Sequence, residues 1–320
     1  MRDHGGDIDR AIERYGGDPD GWVDLSTGIN RRPYPVHDLP SSAWTMLPTR
    51  AAMMSLRSAA RAAYATDAAI LPVAGAQMAI QMIPRLTAPG LARVLGPTYN
   101  EHAGALHAAG WQVEEVEEIN ALAGADLAVV VNPNNPDGRV HPPEVLLRIC
   151  GRVGRLVVDE SFGDPRPELS LAATARRSGV LVLRSFGKFY GLAGLRLGFV
   201  LGDDDTIAAL SEMVGPWPVS GAAVEIGRAA LVDREWSRTT TNRLRAEAQR
   251  LDALATSHGW EALGGCELFR LYFTGKSTEA QERLARAHIW SRVFPHSEGW
   301  LRLGLPGNEA EWRRLAKALA

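Results

Sequence analysis

Short apolar segments alternate with amphipathic segments through the middle of the chain. Val- and Leu-rich runs that end near Gly, Pro, Asn or Asp predict strands at 92–96, 127–131, 155–159, 180–185 and 195–201. Helix-like stretches separate these runs, and the Ala-rich segment at 49–64 carries Leu and Met at helical spacing. Strands that are apolar on both faces and alternate with helices indicate a mostly parallel sheet covered by helices, and therefore an α/β fold.

The pattern changes near residue 222, and this change predicts a second, smaller domain. A long Arg- and Ala-rich amphipathic helix is expected at about 222–257. It is followed by predicted strands near 266–273, 289–294 and 300–305 and by helices at about 278–288 and 309–319. The start of the chain looks irregular apart from a short helix near Ile8–Tyr15. We therefore predict an N-terminal segment at 1–35, a large domain at 36–221 and a small α/β C-terminal domain at 222–320.

Composition and charge exclude several classes of protein. The 320 residues are 46% apolar, and 35 Lys and Arg against 37 Asp and Glu give a formal charge of −2. No basic excess points to nucleic acid or an anionic membrane, and no apolar run is long enough for a membrane span or signal-peptide core. Cys150 and Cys266 are too few for a disulfide framework and lack metal-type spacing. We expect no metal site, and inert thiols in a reducing cytoplasm.

The first chemical motif is SFGKFYGLAGLRLGF at 185–199, directly after a predicted strand. Lys188 would lie at the carboxyl end of that strand, where open α/β sheets bind ligands, and a partly desolvated amine there can attack an aldehyde. The hydroxyl of Ser185 and the guanidinium of Arg196 flank it and can hold a phosphate. The alternative is a surface lysine on a glycine-rich loop, which the whole string disfavours.

Two further motifs follow predicted strands. Asp159 ends the buried run in LVVDESF, where a carboxylate is costly unless it meets a cation such as a protonated pyridine nitrogen. Its alternative is helix capping, while Glu160 is expected to face solvent or a structural partner. Asn135 lies in VVNPNNPDG, in a turn shaped by prolines and glycine, and its amide can donate to a phenolate oxygen.

Two weaker motifs precede these in the chain. In VAGAQMAIQ, Gly75, Ala76 and Gln77 lie where a helix starts, so their backbone N–H groups suit a phosphate, although a simple tight turn explains them equally well. In GPTYNEH, His102 is a candidate for stacking on a planar ring or for a purely structural role.

Two arginines near the end of the chain are candidates for binding anions. Arg302 lies inside the apolar strand of WLRLGLPG, where an unpaired guanidinium would be expensive and a substrate carboxylate is a natural bidentate partner. Arg292 lies upstream in IWSRVF, where a surface ion pair explains it about as well.

Together these motifs resemble the class I/II pyridoxal-phosphate aminotransferases over nearly the whole chain. The resemblance implies the fold type I of pyridoxal-phosphate-dependent transferases, usually a homodimer. It also implies that Lys188 carries the cofactor, that Asp159 binds the ring nitrogen and that Asn135 binds the ring oxygen. The phosphate would be held by Ser185, Arg196 and the start of the helix at Gly75, Ala76 and Gln77, and the ring-stacking position falls on His102.

Within that family the chain looks most like the threonine-phosphate decarboxylases of cobalamin biosynthesis, with histidinol-phosphate aminotransferases as near relatives. HGG at 4–6, YGG at 15–17 and DLSTGIN at 24–30 resemble the decarboxylases' N-terminal substrate segment. Phe162 stands where many aminotransferases have a tyrosine, and the decarboxylases tolerate phenylalanine there. The resemblance places His4, Gly5, Gly6, Asn30, Asn135, Arg292 and Arg302 at a small phosphorylated amino-acid substrate.

Three positions depart from the family pattern. Asp7 replaces the usual Asn after HGG and puts an acid near the proposed phosphate. Gly187 replaces the usual serine before the lysine, and Leu47 replaces a tyrosine that in many relatives reaches the neighbouring subunit's cofactor. The expected function is decarboxylation of threonine phosphate. The alternatives are an aminotransferase acting on histidinol phosphate or another amino acid, a ligand-binding regulator, for which a basic DNA-binding segment is lacking, and a cofactor-free scaffold, which the intact motifs disfavour.

Overall fold

The computed structural model describes residues 4–320 as an α/β protein. Its strands in that range are β1 Val23–Asp24, β2 Ala69–Val73, β3 Leu91–Leu95, β4 Gln112–Val116, β5 Leu127–Val131, β6 Arg155–Asp159, β7 Val180–Ser185, β8 Gly198–Gly202, β9 Glu261–Cys266, β10 Phe269–Phe273, β11 Ile289–Trp290, β12 Arg292–Phe294 and β13 Ser297–Gly304. Its α-helices there are α1 Ile8–Tyr15, α2 Ser42–Thr45, α3 Arg50–Ala63, α4 Ala76–Met82, α5 Glu101–Ala108, α6 Pro143–Cys150, α7 Asp204–Val214, α8 Gly221–Val232, α9 Arg234–Ser257, α10 Ser277–Arg286 and α11 Glu309–Leu319. None of these helices combines the length and the apolar character that crossing a membrane requires.

The chain forms two compact units. The larger comprises residues 34–135 and 140–236, and the smaller comprises 4–33, 136–139 and 237–320. The predicted boundaries after residues 35 and 221 differ from these divisions. The start of the chain belongs to the smaller unit because β1 pairs in parallel with β11. Ala11, Trp22, Ala285 and Trp290 bury their side chains in one apolar cluster of that unit.

The larger unit is built on a seven-stranded sheet with the order β2-β8-β7-β6-β5-β3-β4. The pairs from β4 through β3, β5 and β6 to β7 are parallel, whereas β8 runs antiparallel to both β7 and β2. The central strands β5, β6 and β7 are buried nearly throughout, because helices cover both of their faces. The prediction of a mostly parallel sheet is therefore confirmed, and the carboxyl ends of its three central strands meet at one edge.

The sequence pattern did not predict the two edge strands of this sheet or the break between α8 and α9. β4 has the partly exposed sequence QVEEV at the rim of the sheet, so it lacks the apolar signature of a buried strand. The opposite edge, β2, is a short run that contains a proline. The single helix predicted at 222–257 is two helices, α8 and α9, because the Asp233 carboxylate accepts a hydrogen bond from the Trp236 backbone N–H at 2.9 Å and begins a new helix.

The smaller unit contains a four-stranded antiparallel sheet with the order β12-β13-β10-β9. β13 carries Arg302 opposite Leu271 of β10 and Arg292 of β12. The Gly304 N–H donates to the Leu25 carbonyl at 2.7 Å, which fixes the N-terminal segment against this sheet. Both cysteines are buried and unpaired by any disulfide, and burial raises the pKa of Cys266 to about 12, so its thiol is unreactive at neutral pH.

Candidate active site

Asp159 is a buried carboxylate at the carboxyl end of β6, with 3% of its surface exposed. One oxygen accepts hydrogen bonds from the Ser161 backbone N–H at 2.9 Å and from the Ser161 hydroxyl at 2.5 Å. His102 Nε2 lies 2.9 Å from the other oxygen, and an ionised carboxylate can only accept there. Burial alone would raise the pKa of Asp159, but these hydrogen bonds and the charge of His102 outweigh it and hold the pKa below its usual value.

The neighbouring acid has a different environment. Glu160 is fully buried, and its carboxylate accepts from Arg184 at 2.7 Å, from the Ser170 hydroxyl at 2.6 Å and from the Leu171 N–H at 2.7 Å. Arg184 also donates to Asp164 at 2.7 Å. Glu160 was expected to face either solvent or a structural partner. The structure shows the structural partner, because Glu160 belongs to an ion-pair network that joins β6 to β7.

Lys188 lies in the turn after β7, and β7 is the neighbour of β6, the strand that ends at Asp159. Its side chain is partly buried, and Nζ lies 5.5 Å from the centre of the Phe162 ring. Phe162 follows β6, so adjacent parallel strands deliver Asp159, Phe162 and Lys188 to the same edge of the sheet. Gly187, which stands in place of the family serine, is packed against Ala193, since a Cβ there would lie 2.9 Å from the Ala193 Cα.

A cradle for an anion lies at the start of α4. Gly75 precedes this helix with φ of 79°, and a Cβ on it would lie 2.5 Å from Nη2 of Arg196. Gly198 is equally close, since its Cβ would lie 2.6 Å from the Ala76 backbone nitrogen, and Gly198 is the sheet partner of Ser185. Glycines thus let Arg196 and the end of β7 approach the N–H groups of α4, which is the arrangement that binds a phosphate.

His102 makes a contact that differs from the ring stacking predicted for it. It is buried to 3% exposure, with the edge of its imidazole directed at Asp159. Tyr99, which the sequence analysis passed over, is partly exposed beside it, with ring centroids 6.2 Å apart. The Tyr99 hydroxyl lies 3.4 Å from Oε1 of Gln77 in the first turn of α4. The Tyr99 ring therefore extends from the anion cradle towards the Asp159 pair.

Asn135 follows β5 in a turn held by its neighbours. The Asn132 side chain exchanges two hydrogen bonds with the His141 backbone, at 2.9 and 3.0 Å. Asn134 accepts from the Thr98 hydroxyl at 2.6 Å and donates to the Pro97 carbonyl at 3.0 Å. These bonds fix the turn and leave Asn135 partly exposed at the same sheet edge as Asp159.

The smaller unit brings together part of the predicted substrate set. A cleft of about 600 Å³ is lined by residues that include His4, Gly5, Ser26 and Arg292. Gly5 packs against the Ser26 carbonyl, and the Gly6 N–H donates to the Ser26 hydroxyl at 2.7 Å. The HGG motif is therefore anchored beside Arg292, while Asp7, the departure from the family, also lines the cleft.

Asn30 and Arg302 are not among the residues that line this cleft. The Asn30 side-chain oxygen accepts from Arg243 at 3.0 Å and from the Arg32 N–H at 3.0 Å, so it has structural partners. Arg302 is 5% exposed and donates to the Ser26 carbonyl at 2.6 Å. Burial and the charge of Arg292 lower the pKa of Arg302 to about 10, and they outweigh the opposing charge of Asp24.

The donor set of the larger unit fits pyridoxal 5'-phosphate. That molecule needs an anion cradle for its phosphate, an ionised carboxylate for its protonated ring nitrogen and an amine for its aldehyde. The glycine-lined cradle with Arg196, the buried Asp159 and the partly buried Lys188 meet these needs. No cluster that could hold a metal ion is present in the described part of the chain.

A mostly parallel sheet with this lysine, this carboxylate and this cradle at one edge defines a pyridoxal-phosphate enzyme. The chain belongs to the family of class I and II aminotransferases, whose family model matches residues 47–319. It is 44% identical over 326 residues to a threonine-phosphate decarboxylase of Pseudomonas aeruginosa, covering 100% of this chain and 97% of that one. It is 45% identical over 325 residues to another of Sinorhizobium sp, covering 99% and 97%.

Solved structures agree with the fold. Histidinol-phosphate aminotransferase from Sinorhizobium meliloti, solved in complex with pyridoxal 5'-phosphate, superimposes with a TM-score of 0.84 at 21% identity, covering 97% of this chain and 92% of that chain. L-threonine-O-3-phosphate decarboxylase from Porphyromonas gingivalis gives a TM-score of 0.76 at 21% identity, covering 93% and 98%. The cofactor predicted from the sequence, pyridoxal 5'-phosphate, is confirmed as that of the family.

Proposed function

We propose that this chain decarboxylates L-threonine O-3-phosphate to aminopropanol phosphate for cobalamin biosynthesis. The observation that carries this proposal is the 44–45% identity to two threonine-phosphate decarboxylases over the whole chain. A histidinol-phosphate aminotransferase of Mycobacterium bovis is 33% identical over 82% of the chain, which makes the aminotransferase the weaker candidate. Lyase activity dependent on pyridoxal phosphate is the class of reaction that follows.

The larger unit supplies the groups for the cofactor. Lys188 would bind its aldehyde, Asp159 would pair with its ring nitrogen and Asn135 would donate to its ring oxygen. The phosphate is received by the cradle, whose members are Gly75, Ala76, Gln77, Ser185 and Arg196.

We assign ring stacking to Tyr99 rather than to His102. The Tyr99 ring is next to His102 at the carboxylate, and its hydroxyl lies near Gln77 at the phosphate cradle, so it has neighbours at both ends of the proposed cofactor site. His102 then acts on Asp159 and keeps that carboxylate ionised and oriented. An aromatic face on the ring would hold it in plane without competing for the hydrogen bonds of Asp159.

The smaller unit supplies the groups proposed for the substrate. His4, Gly5, Gly6 and Arg292 are at or beside the cleft and are proposed to receive the substrate phosphate, together with Asn30, which is not among the residues that line the cleft. Arg302 is proposed for the substrate carboxylate, because it is a buried cation on β13 that is paired in the sheet with Arg292 of β12. Asn135 is proposed to touch the substrate as well as the cofactor.

The reaction needs control over which bond to the substrate Cα breaks. When bound, pyridoxal phosphate supplies an electron sink for the charge left at Cα. Arg302 and the phosphate-binding residues hold two anions of one small molecule at once, which fixes the orientation of its carboxylate. Asp159 stays ionised and stabilises positive charge at the ring nitrogen. The Lys188 amine would be placed to return a proton to Cα after the carboxylate has left as carbon dioxide.

One comparison of products tests the proposal. The purified protein loaded with pyridoxal phosphate should release carbon dioxide and aminopropanol phosphate from threonine phosphate without a keto acid. Unphosphorylated threonine should be a very poor substrate, because the phosphate contacts are lost. If carbon dioxide is absent and histidinol phosphate instead transfers its amino group to 2-oxoglutarate, the enzyme is the aminotransferase and the proposal is wrong.

We also propose a cytoplasmic homodimer. The free, buried thiols fit a reducing compartment. Apolar side chains are exposed on the larger unit at Trp44, Met46, Leu47, Met54 and Trp217. Large exposed apolar side chains that cluster along the sequence are typical of a surface that a second copy covers.

A further inference from the structure

The cleft in the smaller unit is lined by more cationic groups than the proposed phosphate contacts require. Besides His4 and Arg292 it is lined by Arg10, Arg14 and Lys276, against the acids Asp7 and Glu298. Its volume of about 600 Å³ is large for one phosphate group. The two additional arginines come from a single helix, α1.

The basic and acidic residues of helix α1 lie on opposite flanks of its apolar face. Ile8, Ala11, Ile12 and Tyr15 pack on the apolar cluster of the smaller unit. Arg10 and Arg14 are one turn apart on one flank of this apolar face and line the cleft. The acids Asp9 and Glu13, also one turn apart, are on the other flank and are not among the residues that line the cleft.

The stability of α1 does not account for Arg10. A cation in the first turn of a helix lies near the positive end of the helix dipole, where an acid is favoured. Asp9 in the first turn and Arg14 in the last satisfy that preference, whereas Arg10 opposes it. The helix dipole therefore does not explain an arginine at this position, whereas Arg10 does add positive charge to the lining of the cleft.

The backbone of α1 holds both arginines in place. Asp7 caps the helix by accepting from the Arg10 N–H at 3.2 Å, and Ala11 is fully buried. The side chains of Arg10 and Arg14 themselves are exposed. Two cations on the exposed side of the cleft raise the local concentration of a phosphate dianion before it reaches the proposed phosphate contacts.

We propose that Arg10 and Arg14 form an electrostatic approach path that attracts the phosphate dianion of the substrate into the cleft. This role rests on the proposed function and differs from that of Arg292, which contacts the phosphate once it is bound. Attraction at a distance is screened by salt, with a Debye length of about 30 Å at 0.01 M and about 3 Å at 1 M. It changes the capture of substrate and not the rate of bond breaking.

The test compares Arg10→Gln/Arg14→Gln with two matched pairs. Arg10→Lys/Arg14→Lys keeps the charge, and Arg283→Gln/Arg313→Gln removes the same charge from exposed positions of the smaller unit outside the cleft. At low ionic strength the glutamine pair should lower kcat/KM for threonine phosphate on the order of tenfold with kcat unchanged. The difference should vanish near 1 M salt, and both matched pairs should behave as the wild type.

A binding measurement separates this proposal from the proposed function. Inorganic phosphate is titrated calorimetrically into the cofactor-loaded protein, and its affinity should fall in the glutamine pair at low salt only. A wild type that binds phosphate this way but releases no carbon dioxide would refute the proposed function and leave the approach path standing. Equal phosphate affinity in the glutamine pair and the wild type, a loss that persists at high salt, or a fall in kcat would overturn the approach path.

Discussion

Asp159 shows how single residues set the chemistry of this site. The carboxylate is buried, and its lowered pKa depends on hydrogen bonds from His102 and Ser161. A carboxyl group with a lowered pKa keeps its charge well into the acid range and loses it only as the pH falls through that lowered value. The pairing of Asp159 with a ring nitrogen should therefore persist at neutral and mildly acidic pH and be lost as the pH falls through the lowered pKa.

We expect Asp159→Ala to retain the cofactor and to lower kcat by about a hundredfold or more. The stabilising anion acts mainly as charge develops, so kcat falls more than affinity does. Steady-state kinetics and the visible spectrum of the bound cofactor measure the two effects. Ser161→Ala is a milder variant that tests the same carboxylate. Losing one hydrogen-bond donor raises the pKa of Asp159 and should move the acid limb of the pH profile of kcat to higher pH. Near-normal turnover in Asp159→Ala would show that the residue is structural.

Lys188 is one of three lysines in the chain, with Lys276 and Lys317. Borohydride reduction of the loaded protein should fix the cofactor on Lys188, as read by mass spectrometry of peptides. Lys188→Ala should abolish the label, and Lys317→Ala, at an exposed position of α11, should retain it. A label found on another lysine would refute the assignment of the cofactor site.

Arg292 is proposed to contact the substrate phosphate. A hydrogen bond to a charged group contributes roughly 1.5–3 kcal/mol, so Arg292→Ala should lower kcat/KM for threonine phosphate by about ten- to a hundredfold. Arg283→Ala, an exposed arginine of α10, is the control and should have no such effect. Equal kinetics in Arg292→Ala and in the wild type would mean that Arg292 does not bind the substrate phosphate and has a structural role, such as its contact with Phe294, whose ring centre lies 5.5 Å from its guanidinium.

At the scale of elements, the anion cradle depends on glycines that allow close approach. Gly75 has a positive φ, and its missing side chain makes room for Arg196 at the start of α4. Gly198 in β8 allows the same approach from the sheet. The cradle is thus a property of three elements, β7, β8 and α4, and not of one motif.

We expect Gly75→Ala to weaken cofactor binding by about tenfold or more. Its Cβ would displace the Arg196 guanidinium, and alanine is strained at a φ of 79°. Gly194→Ala is the matched control, because a Cβ there meets nothing within 4 Å in the turn just before Arg196. Equilibrium titration with pyridoxal phosphate gives both dissociation constants. If the two variants bind equally well, the phosphate is held elsewhere.

The element boundaries also show what a local pattern can predict. The buried strands β5, β6 and β7 were predicted because their apolar runs end near Gly, Asn or Asp, a pattern that is typical of buried strands. β4 was missed because an edge strand need not be apolar on both faces, and β2 was missed because its short apolar run contains a proline. The break at Asp233 was missed because a capping aspartate inside a long amphipathic pattern resembles any other polar helix position.

At the scale of the whole molecule, the exposed apolar side chains predict self-association. Trp44 is 69% exposed and Leu47 is 62% exposed, in a stretch of the larger unit that also exposes Met46 and Met54. A stable dimer buries roughly 800 Å² on each partner, which several such side chains help to supply.

Light scattering of the purified protein should give twice the chain mass of 34.6 kDa. Trp44→Glu/Leu47→Glu should shift the protein towards the monomer, because burying two unpaired charges opposes association. Leu263→Glu places the same charge on an exposed residue of the smaller unit and should leave the mass unchanged. A wild type that remains a monomer at micromolar concentration would contradict the dimer.

The sequence by itself determined the parallel sheet, the family and the order of the main site residues. Asp159 and Ser185 end the buried strands β6 and β7, Asn135 and Lys188 lie in the turns after β5 and β7, and the ends of adjacent parallel strands must share one edge. This inference needs only local burial and the chain direction, both of which the sequence encodes. The cofactor, pyridoxal phosphate, was predicted because an amine, a carboxylate and phosphate-binding groups at one site are what its aldehyde, ring nitrogen and phosphate require.

Only the tertiary structure decided which distant side chains meet. His102 and Asp159 are 57 positions apart, and nothing in the sequence distinguishes a histidine that donates to a carboxylate from one that stacks on a ring. Tyr99 gained its proposed role for the same reason, and Arg10 and Arg14 became candidates only once α1 was placed beside the cleft. Hydrophobic periodicity reports how deeply a residue is buried, whereas function here also depends on which neighbours share that burial, and packing between distant segments fixes those neighbours.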